Sequence, residues 1–275
     1  MSTTVVRSPS SAGSAKAASL HDSARDSGSP EPQNPLDGFG SLVEKIESIL
    51  GTGERIRSEE VDIDALMAAM EAYTSDESEW SQYAFADAQK KYTRNLVSAG
   101  NHLGNLLVLV WTPGEDQTSP VHDHADAHCV MKILKGSLTE TLYGYPCEAT
   151  CTPPTMEVDN DAPSSGSSTG HKCCHSRRDP SAQSTSTTTA SSELPVKKKT
   201  TYTRDQVTYI SDRLGLHSVG NSLGENDFAV SLHLYTPPNA ATFGCSTYDP
   251  VTGKKSAEKH KMNHFYSEFG VKMSD

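Results

Sequence analysis

The sequence predicts a mainly β domain, an antiparallel barrel or sandwich, with α-helices leading into it. Two observations point to this class. From residue 106 onward, short apolar or alternating stretches (LLVLVW, HCVMKILKGSLTETLYGY, VTYI, GLHSVGN, AVSLHLYTPP) are separated by Gly, Pro and Asn, as strands joined by turns are. Ahead of them, between residues 36 and 91, apolar residues recur at three-to-four residue spacing, which is a helical period.

In chain order, residues 1–36 come first. They are rich in Ser, Ala, Pro and Gly and hold almost no large apolar residue after Val6 except Leu20. Such a stretch cannot bury enough surface to offset its ordering entropy, so a disordered tail is expected. FGSLVEKIESIL then sets Phe39, Leu42, Val43, Ile46 and Ile49 or Leu50 along one stripe, with Gly51 as the stop. A second helix is expected over Ser58 to Tyr73, from Val61, Ile63, Leu66, Met67 and Met70, and a third over roughly Glu79 to Lys91.

The strand stretches follow, but their texture breaks between Cys147 and about Tyr202. There PPTMEVDNDAPSSGSSTG and SAQSTSTTTASS are low-complexity sequence, so an inserted loop at about 150–200 is expected, disordered at its centre. Without tail and insert ~190 residues remain, the size of one domain, spanning 37–275.

Composition narrows the partners. With 35 acidic against 24 basic residues, the net charge is -11, and the mean hydropathy is -0.54. An acidic chain is poorly suited to nucleic acid or an anionic membrane surface, so neither is expected and a small molecule is. The longest apolar stretches, such as Leu106 to Trp111, are far too short to span a membrane. The first twenty residues lack the continuous apolar region of a secretory signal, and the six cysteines form no regular framework. A cytoplasmic monomer is the expectation, which cleavage of an N-terminal segment would reverse.

The sharpest motif runs from Pro120 through His122-Asp123-His124 to Cys129 and Gly136. On a strand, residues two apart share a face, so His122 and His124 make a pair of facial metal ligands. Together with the later His217 and Asn221, these spacings resemble the two motifs of the cupin superfamily, which implies a jelly-roll-like β-barrel. Most cupins carry a glutamate ligand where this chain has Cys129. Three neutral histidines leave a divalent ion its full charge and open positions; iron for an anionic chelating substrate and O2, or zinc for hydrolysis, both remain open at this point.

Four segments sharpen the resemblance: YTRNLV at 92–97, SPVHDHADAHCVMKILKGSLTETLYGYP at 119–146, GLHSVGN at 215–221 and SLHLYTPP at 231–238. They resemble the cysteine dioxygenase family, whose members oxidise the thiol of L-cysteine with O2 to a sulfinate. The resemblance implies one Fe(II) on His122, His124 and His217, Arg94 as the clamp on the substrate carboxylate, and Tyr92 and Tyr235 bordering the pocket. A guanidinium fork suits a carboxylate as Lys does not. The resemblance also implies a thioether crosslink between Cys129 and Tyr235. Ser231, His233 and Tyr235 alternate on one strand face, so a hydrogen-bond chain can set the phenol's protonation.

Plainer roles are expected elsewhere. His128 stays off the metal list, Cys245 is a structural or merely reactive thiol, and His171-Lys172-Cys173-Cys174-His175 in the insert is read as loop rather than as a zinc or redox site. The insert also marks a fungal-like departure from the shorter animal-type pattern. The rival functions are a thiol dioxygenase acting on 3-mercaptopropionate or cysteamine, a non-catalytic cysteine-binding cupin, and a zinc hydrolase.

Overall fold

The computed structural model describes residues 38–114, 117–146, 193–221 and 227–274. The expected tail at 1–36, the low-complexity part of the insert and its cysteine pair lie outside these residues.

Helix α1 (Gly38–Leu50) buries Phe39, Leu42, Ile46 and Leu50, and the Gly51 amide, at positive φ, closes it on Glu47 O at 2.9 Å. Helix α2 (Ile63–Ala72) is capped by Asp62, whose carboxylate accepts from the Ala65 amide at 3.0 Å, and buries Leu66 and Met70. The third expected helix is cut short. Helix α3 (Glu77–Trp80) and a 3-10 turn over Ser81–Tyr83 are all that form. Beyond them Phe85 O accepts from the side chains of Thr93 and Asn95, and Asp87 turns the chain through the amides of Gln89 and Lys90, so those backbone groups are spent outside a helix.

The chain then runs through β1 (Tyr92–Ser98), β2 (Asn105–Trp111), β3 (Val121–His122), β4 (His128–Lys135), β5 (Ser137–Tyr143), β6 (Val196–Thr203), β7 (Val207–Ser211), β8 (Leu216–Gly220) and β9 (Ala229–Thr236). A short α4 (Asn239–Thr242) and three two-residue strands follow: β10 (Thr247–Tyr248), β11 (Ser267–Glu268) and β12 (Val271–Lys272). These form a seven-stranded sheet, β12-β11-β1-β2-β9-β4-β7, and a five-stranded sheet, β10-β3-β8-β5-β6. The jelly-roll architecture stands as expected, as two open sheets rather than a closed cylinder.

Gly136 explains one change of sheet. At φ +72 it turns the chain from β4 in the larger sheet to β5 in the smaller, and a Cβ there would meet the Ala229 Cβ at 3.3 Å. Strand β6 corrects the insert's expected end near Tyr202, because it pairs with β5 from Val196 to Thr203. It is an edge strand, largely exposed and carrying three consecutive lysines, so it lacks the apolar alternation that would mark it in sequence.

The period of two along each strand makes three layers. On one side of the larger sheet, Leu106, Val108, Val110, Val130, Leu134, Leu232 and Leu234 pack on the helices. On the other side, Leu107, Leu109, Trp111, Met131 and Ile133 meet Leu138 and Val219 of the smaller sheet. The site lies in this second layer. Among the described residues no helix is long and apolar enough to cross a membrane.

Candidate active site

His122 and His217 stand on neighbouring strands of the smaller sheet, paired in register across β3 and β8. His124 lies beyond the strand that the sequence assigned to it, since β3 ends at His122. Two devices hold it in place instead. The Asp123 amide donates to Ser246 O at 3.1 Å, prolonging the contact with β10, and Asp212 accepts from the amides of His124 at 2.6 Å and Asp126 at 2.7 Å. Ala125 and Asp126 then turn through positive φ toward β4.

The three rings converge. Their centroids are 4.7 to 5.1 Å apart, and one nitrogen from each lies within 4.8 Å of the others. All three are buried. His122 Nδ1 lies 2.9 Å from Pro120 O and His217 Nδ1 lies 2.7 Å from Glu140 Oε1, contacts that turn Nε2 of each ring toward the centre. His124 has neither nitrogen hydrogen-bonded; its Nδ1 is 3.7 Å from Asp212 Oδ1, too long for such a bond.

A buried imidazole without a partner is costly unless something accepts its lone pair. Burial, with the neighbouring His124 as the next cause, pulls His122 down to about 4, and burial with its imidazole neighbours lowers His217. Burial pushes Glu140 upward. Three buried imidazole nitrogens converging on one point are what a divalent transition metal requires, so these residues fit one.

A narrow cavity beside the rings is bordered by Tyr92, Arg94, His122, His217, His233 and Tyr235. Arg94 reaches it from β1, with Nη1 donating to Met262 O at 3.0 Å and its guanidinium carbon 5.4 Å from the centre of the Phe265 ring. From β9, Ser231, His233 and Tyr235 project side by side. Trp111 Nε1 donates to Ser231 Oγ at 2.8 Å, Ser231 Oγ is 2.8 Å from His233 Nε2, and His233 Nδ1 is 3.2 Å from the Tyr235 hydroxyl. Cys129 Sγ lies 3.8 Å from the same Nδ1. Burial raises the Cys129 thiol and the Tyr92 and Tyr235 phenols above their ordinary values, so all three hold their protons at neutral pH in the metal-free protein.

A family model described as cysteine dioxygenase type I matches residues 40–171 and 178–249. The chain belongs to the cysteine dioxygenase type I family. Cysteine dioxygenase type 1 of Rattus norvegicus is 35% identical over 219 residues, covering 80% of this chain and 84% of that protein. The Homo sapiens protein of the same name is 35% identical over 214 residues, covering 78% and 82%, and that of Danio rerio is 33% identical over 228 residues, covering 82% and 89%.

In this member of the cysteine dioxygenase family, His122, His124, His217, Arg94, Tyr92, His233, Tyr235 and Cys129 are brought into one region between the sheets. His128 is turned away, its ring nitrogens 2.7 Å from the Tyr209 hydroxyl and 2.8 Å from Ser58 O. Cys245 is buried beside His260 O, and burial pushes its thiol up to about 11. Trp111, Asp212 and Glu140 were missed in the sequence. Only Glu140 carried a signal, sitting on the Leu138, Glu140, Leu142 face of a strand where leucines flank it.

Proposed function

We propose that this protein is a non-haem Fe(II)-dependent cysteine dioxygenase, converting L-cysteine and O2 to L-cysteine sulfinic acid in cysteine catabolism. The observation that carries the proposal is that Arg94 and two of the three converging histidines border one cavity, so a carboxylate clamp and a metal position share a single small chamber. An α-amino acid with a short thiol side chain can span the two. His122, His124 and His217 would hold the iron, one ion per chain. When bound, the ion supplies a Lewis-acidic, redox-active centre at which thiolate and O2 meet.

The remaining steps belong to the chain's own side chains. Arg94 takes the substrate carboxylate with charge-assisted bonds and so fixes the direction in which the thiol points. Tyr92, its ring tilted against Trp111 with centres 4.7 Å apart, lines the same cavity. The His233 imidazole, held on Ser231, orients the Tyr235 hydroxyl and can pass a proton to it or take one away. Cys129 and Tyr235 would join as a thioether, Sγ bonding to a ring carbon while the thiol and ring hydrogens are removed by O2, which locks the phenol in place. Both atoms of O2 end on the substrate sulfur, so no outside reductant is needed.

The same proposal makes the protein a cytoplasmic monomer. Its support is the net charge of -11 and, among the described residues, two free thiols at Cys129 and Cys245.

Oxygen uptake by the purified protein, coupled to metal analysis and mass detection of sulfinate, tests the proposal. Iron in the protein and stoichiometric sulfinate from L-cysteine are expected. Faster turnover of 3-mercaptopropionate or of cysteamine, which lacks the carboxylate for Arg94, would move the substrate assignment. Bound iron without sulfinate would indicate a cysteine-binding cupin, and zinc with no oxygen uptake a hydrolase.

A further inference from the structure

The three histidines differ in what lies behind them. His122 is backed by a neutral carbonyl at 2.9 Å, and His124 has Asp212 at 3.7 Å, beyond hydrogen-bond reach. His217 alone among the three has a carboxylate in short contact, Glu140 Oε1 at 2.7 Å from Nδ1.

Glu140 is an odd residue for its place. It sits between Leu138 and Leu142 on one face of β5 and is only 8% exposed. A carboxylate so buried costs several kcal/mol unless it is paired. Its other partners are the hydroxyls of Thr208, 3.5 Å from Oε2, and of Tyr202 on β6, with the Lys198 charge also favouring the carboxylate. Its short partner is the neutral His217 ring. Three imidazoles, meanwhile, bring no negative charge to a dication that would be buried with them.

We propose that Glu140 is a positioning residue for the metal: its carboxylate accepts the Nδ1 proton of His217, holds the ring with Nε2 toward His122 and His124, and places a compensating charge one ring away from the ion. This rests on the three-histidine site proposed above. A carboxylate behind a ligating histidine raises the basicity of the ligand nitrogen and fixes its tautomer, and losing such a partner typically weakens metal binding by roughly 10- to 100-fold. The plain alternative is that Glu140 only fastens β5 to β8, which already share a ladder from Thr139 to Tyr143.

Glu140→Gln separates the two, because it keeps an acceptor oxygen and removes the charge. The dissociation constants of Co(II) and Fe(II), measured by chelator competition, and the Tm of the metal-free protein are compared with wild type. Weakening by roughly 10- to 100-fold with the metal-free Tm little changed is expected, with partial recovery in Glu140→Asp. Wild-type affinity in Glu140→Gln, or a loss of affinity matched by a collapse of metal-free stability, overturns the proposal. A wild-type protein that binds neither ion instead overturns the metal site itself. Should the variants fail to fold, nitrogen NMR of the metal-free wild type decides: the proton of His217 is expected on Nδ1, and a proton on Nε2 sinks the idea.

Discussion

Cys129 on β4 and Tyr235 on β9 stand directly opposite each other in the antiparallel register, and both lie within reach of His233 Nδ1. Directly opposed positions hold their Cβ atoms about 4.5–5.5 Å apart, close enough for a sulfur to reach the neighbouring ring. Protein exposed to iron, cysteine and O2 is therefore expected to carry a peptide pair lighter by two hydrogens than the sum of its parts, and Cys129→Ser to lack it. Peptide mass spectrometry reads this directly. A fully active protein that never shows the linked pair would remove the thioether from the mechanism.

His233 gives a pH prediction. Burial first, then Arg94, His122 and His124, pull its pKa from an ordinary 6.5 to about 3. Between those values the unfolded chain binds a proton that the folded chain refuses. Its contribution to stability is thus complete above about pH 6.5 and is lost progressively as pH falls toward about 3, by on the order of a few kcal/mol in total. Urea midpoints of metal-free wild type and His233→Gln, taken from pH 7 down to pH 4, should converge as the pH falls. Parallel curves would mean that His233 is not the group responsible.

How far the sequence reached depended on distance along the chain and on periodicity. Ser231, His233 and Tyr235 were legible because a strand's period of two puts them on one face whatever lies around them. His122 and His124 were legible as a pair, but not the loop that holds the second, since Asp212 is 88 residues from His124. Glu140 escaped for the same reason: its flanking leucines hint at burial, but its partner His217 is 77 residues further on. Strand β6 was hidden by its own exposure, which removes the apolar alternation that strand recognition depends on. The helix expected over residues 79–91 failed because its later carbonyls and amides are taken by β1 side chains and by Asp87.

Arg94→Lys should separate charge from geometry. Lysine keeps the positive charge but cannot present two parallel N–H bonds, and a hydrogen bond to a charged group contributes about 1.5–3 kcal/mol. KM for L-cysteine is expected to rise roughly 10- to 100-fold with a smaller change in kcat, while cysteamine, which has no carboxylate, is handled equally by both proteins. Equal losses for the two thiols would place Arg94 in the structure rather than at the carboxylate.

Lys132 tests how this fold tolerates a charge in its core. It is fully buried on the helix side of β4, with Nζ 3.1 Å from Asp205 O and 3.3 Å from Asp205 Oδ1. Asp205 also accepts from the Ser75 amide at 2.8 Å, so one carboxylate ties the helical layer to the sheet. Breaking a buried pair by removing one partner commonly costs about 3–5 kcal/mol. Asp205 is 38% exposed, and water reaching it discounts the figure to about 2 kcal/mol. Asp205→Asn, which tolerates the positive φ there and keeps an acceptor for Ser75, should lose about that much in urea unfolding because the ammonium loses its counter-charge and keeps only neutral partners, among them the residue 205 carbonyl and the Tyr73 ring. Lys132→Met removes the buried charge and keeps most of the volume, so it should cost less than 1 kcal/mol or stabilise. If methionine proves as costly as asparagine, the ammonium contributes net stability and the desolvation argument fails.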